Sequence, residues 1–153
     1  MALYLVQHGK SSPKTMDPEK GLSEEGVQEV TRIAQVAAGY GCKIGTIFHS
    51  GKKRAEQTAS ILASNLKPEG GVKQIGGIDP LDDVVPFAKT LSVEDDTMVV
   101  GHLPFMERLT SYLIIGSQEP PVFQFQNGGI VCLDRGPGTQ AWIIKWALMP
   151  NIG

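Results

Sequence analysis

The segment Leu3-Tyr4-Leu5-Val6-Gln7-His8-Gly9-Lys10 carries the pattern on which the fold prediction rests. Its apolar part is too short for a helix and rich in aromatic and branched side chains, which predicts a buried strand from Leu3 to Val6. His8 follows where this strand ends, and Gly9 lets the backbone turn sharply there. In an open α/β sheet the ligand crevice lies beyond the carboxyl ends of the strands, so we expect His8 beside a functional site. A hydrogen-bonded structural histidine explains this one position equally well.

The segment Val99-Val100-Gly101-His102-Leu103-Pro104 repeats this design. A predicted strand from Thr97 to Val100 ends in glycine and histidine, and Pro104 suits the first position of the helix that follows. Two histidines at two strand ends favour a functional interpretation over a structural one.

A third strand end lies between these two segments. Ile44 to Phe48 reads as a strand that leads into His49-Ser50-Gly51-Lys52-Lys53-Arg54. Apolar residues at helical spacing follow, so Arg54 is expected near the N-terminus of a helix and again beyond a strand end. The predicted apolar stripe of that helix comprises Ala55, Ala59, Leu62, Ala63 and Leu66.

The remaining patterns alternate between helix and strand. Ser23 is a predicted N-cap with Glu24 and Glu25 behind it, and Gly39 a predicted helix end. The core face of that helix is expected to comprise Val27, Val30, Ala34, Ala37 and Ala38. Further predicted elements are a strand at Val72–Ile75, a short helix at Val84–Leu91, a helix closed by Gly116, and an antiparallel hairpin of Ile130–Leu133 with Ala141–Trp146.

This alternation predicts an α/β fold made of one domain, residues 1–153, with three layers in the order α/β/α. We expect a mostly parallel sheet, covered by helices on both faces, with an antiparallel strand near the C-terminus.

The bulk composition excludes several classes of protein. Of 153 residues, 41% are hydrophobic and 20% charged, which is typical of a globular domain. A net charge of -2 offers no overall attraction to nucleic acid or to an anionic membrane, and no apolar run or signal peptide pattern indicates membrane insertion. Cys42 and Cys132 lack any paired spacing, which predicts free thiols in a reducing cytoplasm. Nothing in the sequence indicates the oligomeric state.

Three motifs stand in order along the chain: Gln7-His8-Gly9, then Ser50-Gly51-Lys52-Lys53-Arg54-Ala55-Glu56-Gln57-Thr58, then Gly101-His102. Together they resemble the signature of the histidine phosphatase superfamily, which reads Arg-His-Gly, Ser-x-x-x-Arg-Ala-x-Gln-Thr and Gly-His. The small size, the Gly-Leu-Ser-Glu-Glu-Gly run, His102-Leu103-Pro104 and the segment Phe125–Ile130 resemble the compact SixA-like phosphohistidine phosphatases. The resemblance spans nearly the whole chain and implies a phosphoglycerate mutase-like fold.

This resemblance implies a catalytic set of His8, Arg54 and His102. A neutral imidazole is a good nucleophile near pH 7, so His8 would attack phosphorus in line and give a phosphohistidine that water then hydrolyses. Arg54 offers a planar fork for two phosphate oxygens, and His102, when protonated, adds a charge-assisted donor. Gly9 and Ser50 are expected in the phosphate cradle. The mechanism requires no metal ion and no other cofactor.

Gln7 departs from the superfamily pattern, which has arginine at this place. Glutamine keeps a donor but lacks the charge and the fork, a difference of roughly 1.5 to 3 kcal/mol for a charge-assisted hydrogen bond. That difference equals about one to two orders of magnitude in phosphate binding or rate unless another cation replaces the arginine. Lys10 is the nearest candidate, and it is equally explained as a solvated loop lysine. Lys52 and Lys53 are interpreted as surface charges.

The general acid is a second departure. Larger superfamily members use a carboxylate, and this chain has no glutamate between Gly71 and Val93. Asp82 and Asp83, with Asp79 beside them, are the candidate acids, although turn formation and helix capping are the ordinary roles of such residues. An imidazole leaves from phosphohistidine more easily than an alkoxide leaves from an ester, so the set fits a phosphohistidine substrate on a protein.

Three functions are consistent with these residues. The first is a metal-independent phosphatase that removes phosphate from a protein phosphohistidine through His8. The second is a phosphoresidue-binding module with little turnover, because Gln7 replaces the arginine. The third is a metallohydrolase that binds a divalent ion through His8, His49, His102 and an aspartate, which the absence of zinc-site spacings disfavours. For the phosphatase, we expect His49 to face solvent.

Overall fold

The computed structural model describes residues 1–152, in which six strands form one mixed sheet accompanied by four helices. The strands are Leu3–Gln7 (β1), Ile47–His49 (β2), Val72–Gln74 (β3), Met98–Gly101 (β4), Ile130–Arg135 (β5) and Trp142–Leu148 (β6). The helices are Glu24–Gly39 (α1), Lys53–Leu66 (α2), Val84–Ala88 (α3) and Phe105–Ile115 (α4). The predicted α/β class is confirmed.

The strand order across the sheet is β3-β2-β4-β1-β5-β6. Strands β1 to β4 are parallel to one another, whereas β5 runs antiparallel to both of its neighbours. This confirms the mostly parallel sheet with an antiparallel strand near the C-terminus. Because β2, β4 and β1 are adjacent, the residues that follow their carboxyl ends meet at one edge of the sheet.

The alternation of side chains along β1 shows why the central strands are apolar throughout. Tyr4 and Val6 pack in the cluster that includes α1 and α2, while Leu3 and Leu5 pack in the cluster that includes α3 and α4. A parallel strand covered on both faces must present apolar side chains in both directions. The sheet is therefore the middle of three layers.

Helix α1 begins as predicted and buries a slightly different face. The hydroxyl oxygen of Ser23 accepts a hydrogen bond from the Gly26 N–H at 3.0 Å, so the N-cap is confirmed. Val27 is 41% exposed and Ala38 is exposed, so their assignment to the core was wrong. The buried stripe has its apolar members in the cluster with the sheet and α2, and it comprises Gly26, Glu29, Val30, Ile33, Ala34 and Ala37.

The largest boundary differences from prediction are at the start of β2 and the end of α3. Strand β2 begins at Ile47 rather than Ile44, because the Gly45 amide and carbonyl are hydrogen-bonded to loop residues on either side. Helix α3 ends at Ala88 rather than Leu91, where the Thr90 hydroxyl donates to the Phe87 carbonyl at 2.7 Å. Side-chain bonds of this kind compete with continued helix.

Residues 1–152 include no helix that is both long enough and apolar enough to cross a bilayer. Cys132 is buried, Cys42 is partly exposed, and both are free thiols.

Candidate active site

His8 follows β1 directly, and its N–H donates to the Gly101 carbonyl at 3.0 Å. Its ring atom Nδ1 lies 2.7 Å from the Gly9 carbonyl oxygen. Since a carbonyl oxygen only accepts, Nδ1 carries the proton and Nε2 keeps a free electron pair. Burial lowers the pKa of His8 to about 4. The hydrogen bond to Gly9 acts to raise this pKa, and the positive charges of Arg54 and Lys20 act to lower it. At pH 7 the ring is therefore a neutral nucleophile.

Arg54 lies in the first turn of α2 and faces the free nitrogen of His8. Its Nε donates a hydrogen bond to His8 Nε2 at 3.3 Å. An oxyanion next to that nitrogen would meet the guanidinium, which is always charged and presents several N–H groups in one plane. The predicted proximity of these two side chains is present in the structure.

Thr58, one turn further along α2, connects the segment that carries His8 to the helix turn that carries Arg54. Its hydroxyl accepts a hydrogen bond from the Gly9 N–H at 2.9 Å and donates to the Arg54 carbonyl at 2.8 Å. The side chain is completely buried. A Cβ at Gly9 would lie 2.7 Å from a methyl group of Val30, so only glycine fits between α1 and Thr58. Thr58 lies within the second sequence motif, which gives no indication of this role.

Asn127 holds the nucleophile segment from its other side. Its Nδ2 donates to the His8 carbonyl at 2.9 Å, and the next residue, Gly128, donates its N–H to the Gln7 carbonyl at 2.8 Å. These contacts cross more than 100 positions of sequence, with a separation of 119 for Asn127. In the sequence, the only indication of these contacts is that Phe125–Ile130 resembles the corresponding segment of SixA-like phosphatases. That resemblance does not indicate which residue makes a contact.

His102 follows β4 and faces His8, with 5.0 Å between the ring centroids. Its Nε2 lies 2.6 Å from the Ser50 hydroxyl oxygen, and within residues 1–152 its buried Nδ1 has no hydrogen-bond partner. Burial lowers the pKa of His102 to about 3, and the proximity of His8, Arg54 and Lys52 further disfavours its protonation. His102 is neutral at pH 7 in this structure rather than a cationic donor, and a bound phosphate dianion would favour its protonation.

Ser50 is brought to the site as predicted, but His49 is not directed to solvent. The His49 side chain is only 5% exposed, and its Nδ1 accepts a hydrogen bond from the Gly51 N–H at 3.0 Å. It shares the buried face of β2 with Ile47, since side chains two apart on a strand point the same way. The solvent-facing expectation for His49 was wrong.

Gln7 and Lys10, the two residues predicted to take the place of the usual arginine, have different surroundings. The Gln7 Oε1 atom is buried and has no hydrogen-bond partner in the described chain. Lys10 Nζ lies 2.8 Å from a Glu25 carboxylate oxygen and 3.6 Å from one of Glu29. Lys10 is thus paired with carboxylates of α1 in this structure, and its part in phosphate binding stays a prediction.

The candidate acids have the local roles that are ordinary for aspartate. Asp82 accepts a hydrogen bond from the Asp79 N–H at 2.8 Å, and Asp83 accepts one from the Val85 N–H at 3.0 Å as the N-cap of α3. In the described residues neither carboxylate forms a hydrogen bond or ion pair with the histidine pair or Arg54. The expectation of an acid at these positions is not supported by the contacts.

A cavity of about 570 Å³, which we call the rim cavity, adjoins Arg54. Its lining is almost entirely charged and comprises Glu19, Gly51, Lys52, Lys53, Arg54 and Glu56. Across residues 1–152, no three His, Cys, Asp or Glu side chains cluster in a way that would hold a metal ion. The metallohydrolase alternative therefore has no donor set in this structure.

No protein-family profile and no curated protein sequence matches the chain. Solved structures do match it. The structure of the protein histidine phosphatase SixA complexed with tungstate superposes with a TM-score of 0.83 at 22% identity, covering 98% of this chain and 97% of that one. The chain has the SixA fold.

Other solved structures share the SixA fold. A candidate SixA phosphohistidine phosphatase from Agrobacterium tumefaciens has a TM-score of 0.75 at 24% identity, with coverage of 96% of this chain and 97% of its own. The alpha-ribazole phosphatase from Shigella flexneri has a TM-score of 0.76 at 15% identity, with coverage of 100% and 98%. The whole length of the chain thus takes part in the similarity.

Proposed function

We propose that this protein is a metal-independent phosphatase that forms a phosphohistidine intermediate on His8. The observation that carries the proposal is the state of the His8 ring: its Nδ1 is tied to the Gly9 carbonyl, and its Nε2 is 3.3 Å from Arg54 Nε. The unprotonated Nε2 of the nucleophile therefore accepts a hydrogen bond from a group that carries a permanent positive charge. His102, with its ring 5.0 Å away, borders the same space.

The reaction proceeds in two displacements. The Nε2 electron pair of His8 attacks phosphorus in line, and the bond to the leaving atom breaks with its electrons on that atom. Water then attacks the phosphorus, the P–N bond breaks, and the electron pair returns to Nε2 as inorganic phosphate leaves. Arg54 stabilises the negative charge of the equatorial oxygens in both steps.

The proposed substrate is a phosphohistidine on a protein, in the cytoplasm. The support is chemical: Asp82 and Asp83 are engaged in local hydrogen bonds, and an imidazole leaving group has little need of an acid. A solved structure of the same fold is a protein histidine phosphatase that holds tungstate, an oxyanion of the shape of phosphate. The free thiols Cys42 and Cys132 agree with a reducing compartment.

A second candidate function is a phosphoresidue-binding module with little turnover. Gln7 favours it, since its Oε1 is buried without a partner and no guanidinium is present at that position. Such a module would bind the phosphorylated group in the same place and release it unchanged.

One experiment separates these functions: incubation with a phosphohistidine-bearing protein, a quench that avoids acid, and mass spectrometry of the digested chain. We expect a phosphoryl group on His8, turnover that survives a chelator, and a loss of about three orders of magnitude or more in His8→Ala. His49→Gln, at another strand end, should keep the label and serves as the control. Stoichiometric binding without phosphate release would favour the binding module. Activity that needs a divalent ion, or that persists in His8→Ala, would refute the mechanism.

A further inference from the structure

Four lysines surround the candidate site, and the structure divides them into two pairs. Lys10 is bound to Glu25, and Lys53 lies 3.0 Å from an Asp17 carboxylate oxygen and 3.5 Å from one of Glu19. Of the residues that the structure describes, none forms an ion pair with Lys20 or Lys52. Only these last two keep an uncompensated charge for an anion.

Lys20 occupies an unusual turn. Its φ of +53° lies in the left-handed region, where residues other than glycine are uncommon. Its N–H donates to the Asp17 carbonyl at 2.9 Å, and the Asp17 carboxylate accepts hydrogen bonds from the N–H groups of Glu19 at 3.0 Å and Gly21 at 2.9 Å. Backbone of this kind persists where the surroundings determine it, so the position of the Lys20 backbone is defined by the fold.

The turn is fastened to the beginning of α2. The Leu22 N–H donates to the side-chain oxygen of Gln57 at 2.7 Å, and Lys53 reaches back to Asp17. A Cβ added at Gly21 would lie 2.8 Å from the Lys53 side chain, so the backbone next to Lys20 is in close contact with the first turn of α2. That turn carries Arg54, whose Nε faces His8.

Lys20 is half-buried in this position, and its charge acts on the nucleophile. Together with Arg54, it is one of the two cations that lower the pKa of His8. Lys52, the other unpaired lysine, acts on His102 instead. Lys20 is therefore near enough to His8 for its charge to act on the ring, and its backbone lies against the helix turn that carries Arg54.

We propose that Lys20 binds the substrate phosphate and supplies the positive charge that Gln7 does not. This inference rests on the proposed function. Lysine is a compact point charge on a flexible stem, so it replaces the charge of an arginine without its two parallel hydrogen bonds. Lys20 belongs to the loop that precedes α1, whereas the arginine of the superfamily pattern would stand at the position of Gln7, at the end of β1.

The test measures the affinity of orthovanadate, as a probe of the phosphate site, by inhibition and by calorimetry. We expect Lys20→Gln to weaken binding about tenfold, because one charge-assisted contact is lost. Lys14→Gln, in the exposed part of the same loop, should remain within about twofold since an exposed charge is screened. Lys20→Arg should retain binding. Lys20→Asn removes the charge with a residue that tolerates left-handed backbone, which guards against a folding defect.

A rescue makes the test specific to the missing charge. In the Lys20→Gln background, Gln7→Arg should restore vanadate affinity about tenfold. An affinity unchanged in both Lys20→Gln and Lys20→Asn, with wild type still binding vanadate and turning over, would overturn this inference and leave the proposed function intact. A wild-type protein that neither binds vanadate nor releases phosphate would overturn both.

Discussion

Two cavities of nearly equal volume differ in their chemistry. The rim cavity holds about 570 Å³ beside Arg54. A second one of about 580 Å³, which we call the aromatic cavity, lies beyond the C-terminal end of α1 and is lined by Tyr4, Tyr40, Cys42 and Trp146 among others. The first borders the carboxyl ends of the parallel strands, while the second lies on the α1 face of the sheet beside β6.

Burial shifts two sets of pKa values in opposite directions: that of His8, which contacts Arg54 at the edge of the rim cavity, and those of groups that line the aromatic cavity. Burial raises the pKa of Tyr4 well above its usual range and also raises that of Cys42, its hydrogen-bond partner, so both groups stay protonated and inert at pH 7. Burial lowers the pKa of His8 to about 4, which leaves a free nucleophile next to a cation. Cavity volume therefore does not locate the site, whereas convergent polar groups at strand ends do.

The sharpest test of this contrast replaces Arg54 by lysine. We expect kcat/KM to fall about a hundredfold, because the charge is kept but the planar fork that grips two phosphate oxygens is lost. Tyr4→Phe, which removes the hydroxyl from the aromatic cavity, should leave kcat/KM unchanged. Steady-state kinetics on a phosphohistidine peptide measure both. Equal losses in the two variants would show that the cavities do not differ in function.

The pH dependence of stability offers a second test. His102 has a folded pKa of about 3 against 6.5 when unfolded, so its contribution to stability is complete above about pH 6.5 and is lost as pH falls toward 3. Between pH 7 and 5, His102 becomes protonated in the unfolded chain but not in the folded one. The free energy of unfolding therefore falls by roughly 2 kcal/mol.

Urea unfolding at pH 7 and at pH 5 measures this loss. His102→Gln should show a smaller decline than wild type by about that amount. Tyr4→Phe should decline in parallel with wild type, since tyrosine does not titrate in this range. A decline in His102→Gln as steep as in wild type would mean that His102 is not held neutral in the folded protein.

The smallest expected effect on activity is that of replacing Thr58. Thr58→Val keeps the shape but leaves the buried Gly9 N–H without its acceptor, so we expect about a tenfold lower kcat with a smaller change in KM and a stability loss of about 1 to 3 kcal/mol. Thr110→Val is a matched control, since that buried threonine makes the same bond to the carbonyl four residues earlier and no second one. Thr58→Ser should rescue the rate, and an equal rate loss in Thr110→Val would refute the positioning role.

Patterns that repeat over a few residues were predictable from the sequence. The Ser23 cap, the strand ends before His8 and His102, and the helix that begins near Arg54 all depend on neighbours in the chain. The same local reasoning failed at Val27 and His49, because the side of an element that faces the core depends on what packs there.

The sequence by itself determined which residues stand at strand ends and which class of sheet connects them. Only the tertiary structure decided that β4 lies between β2 and β1, which brings Ser50, His102 and His8 together. It also decided that Lys10 pairs with Glu25, while Lys20 has no ion-pair partner among residues 1–152. Local periodicity specifies an element and its buried side, but a hydrogen bond or ion pair between distant segments depends on how the elements pack, and no short-range pattern contains that information.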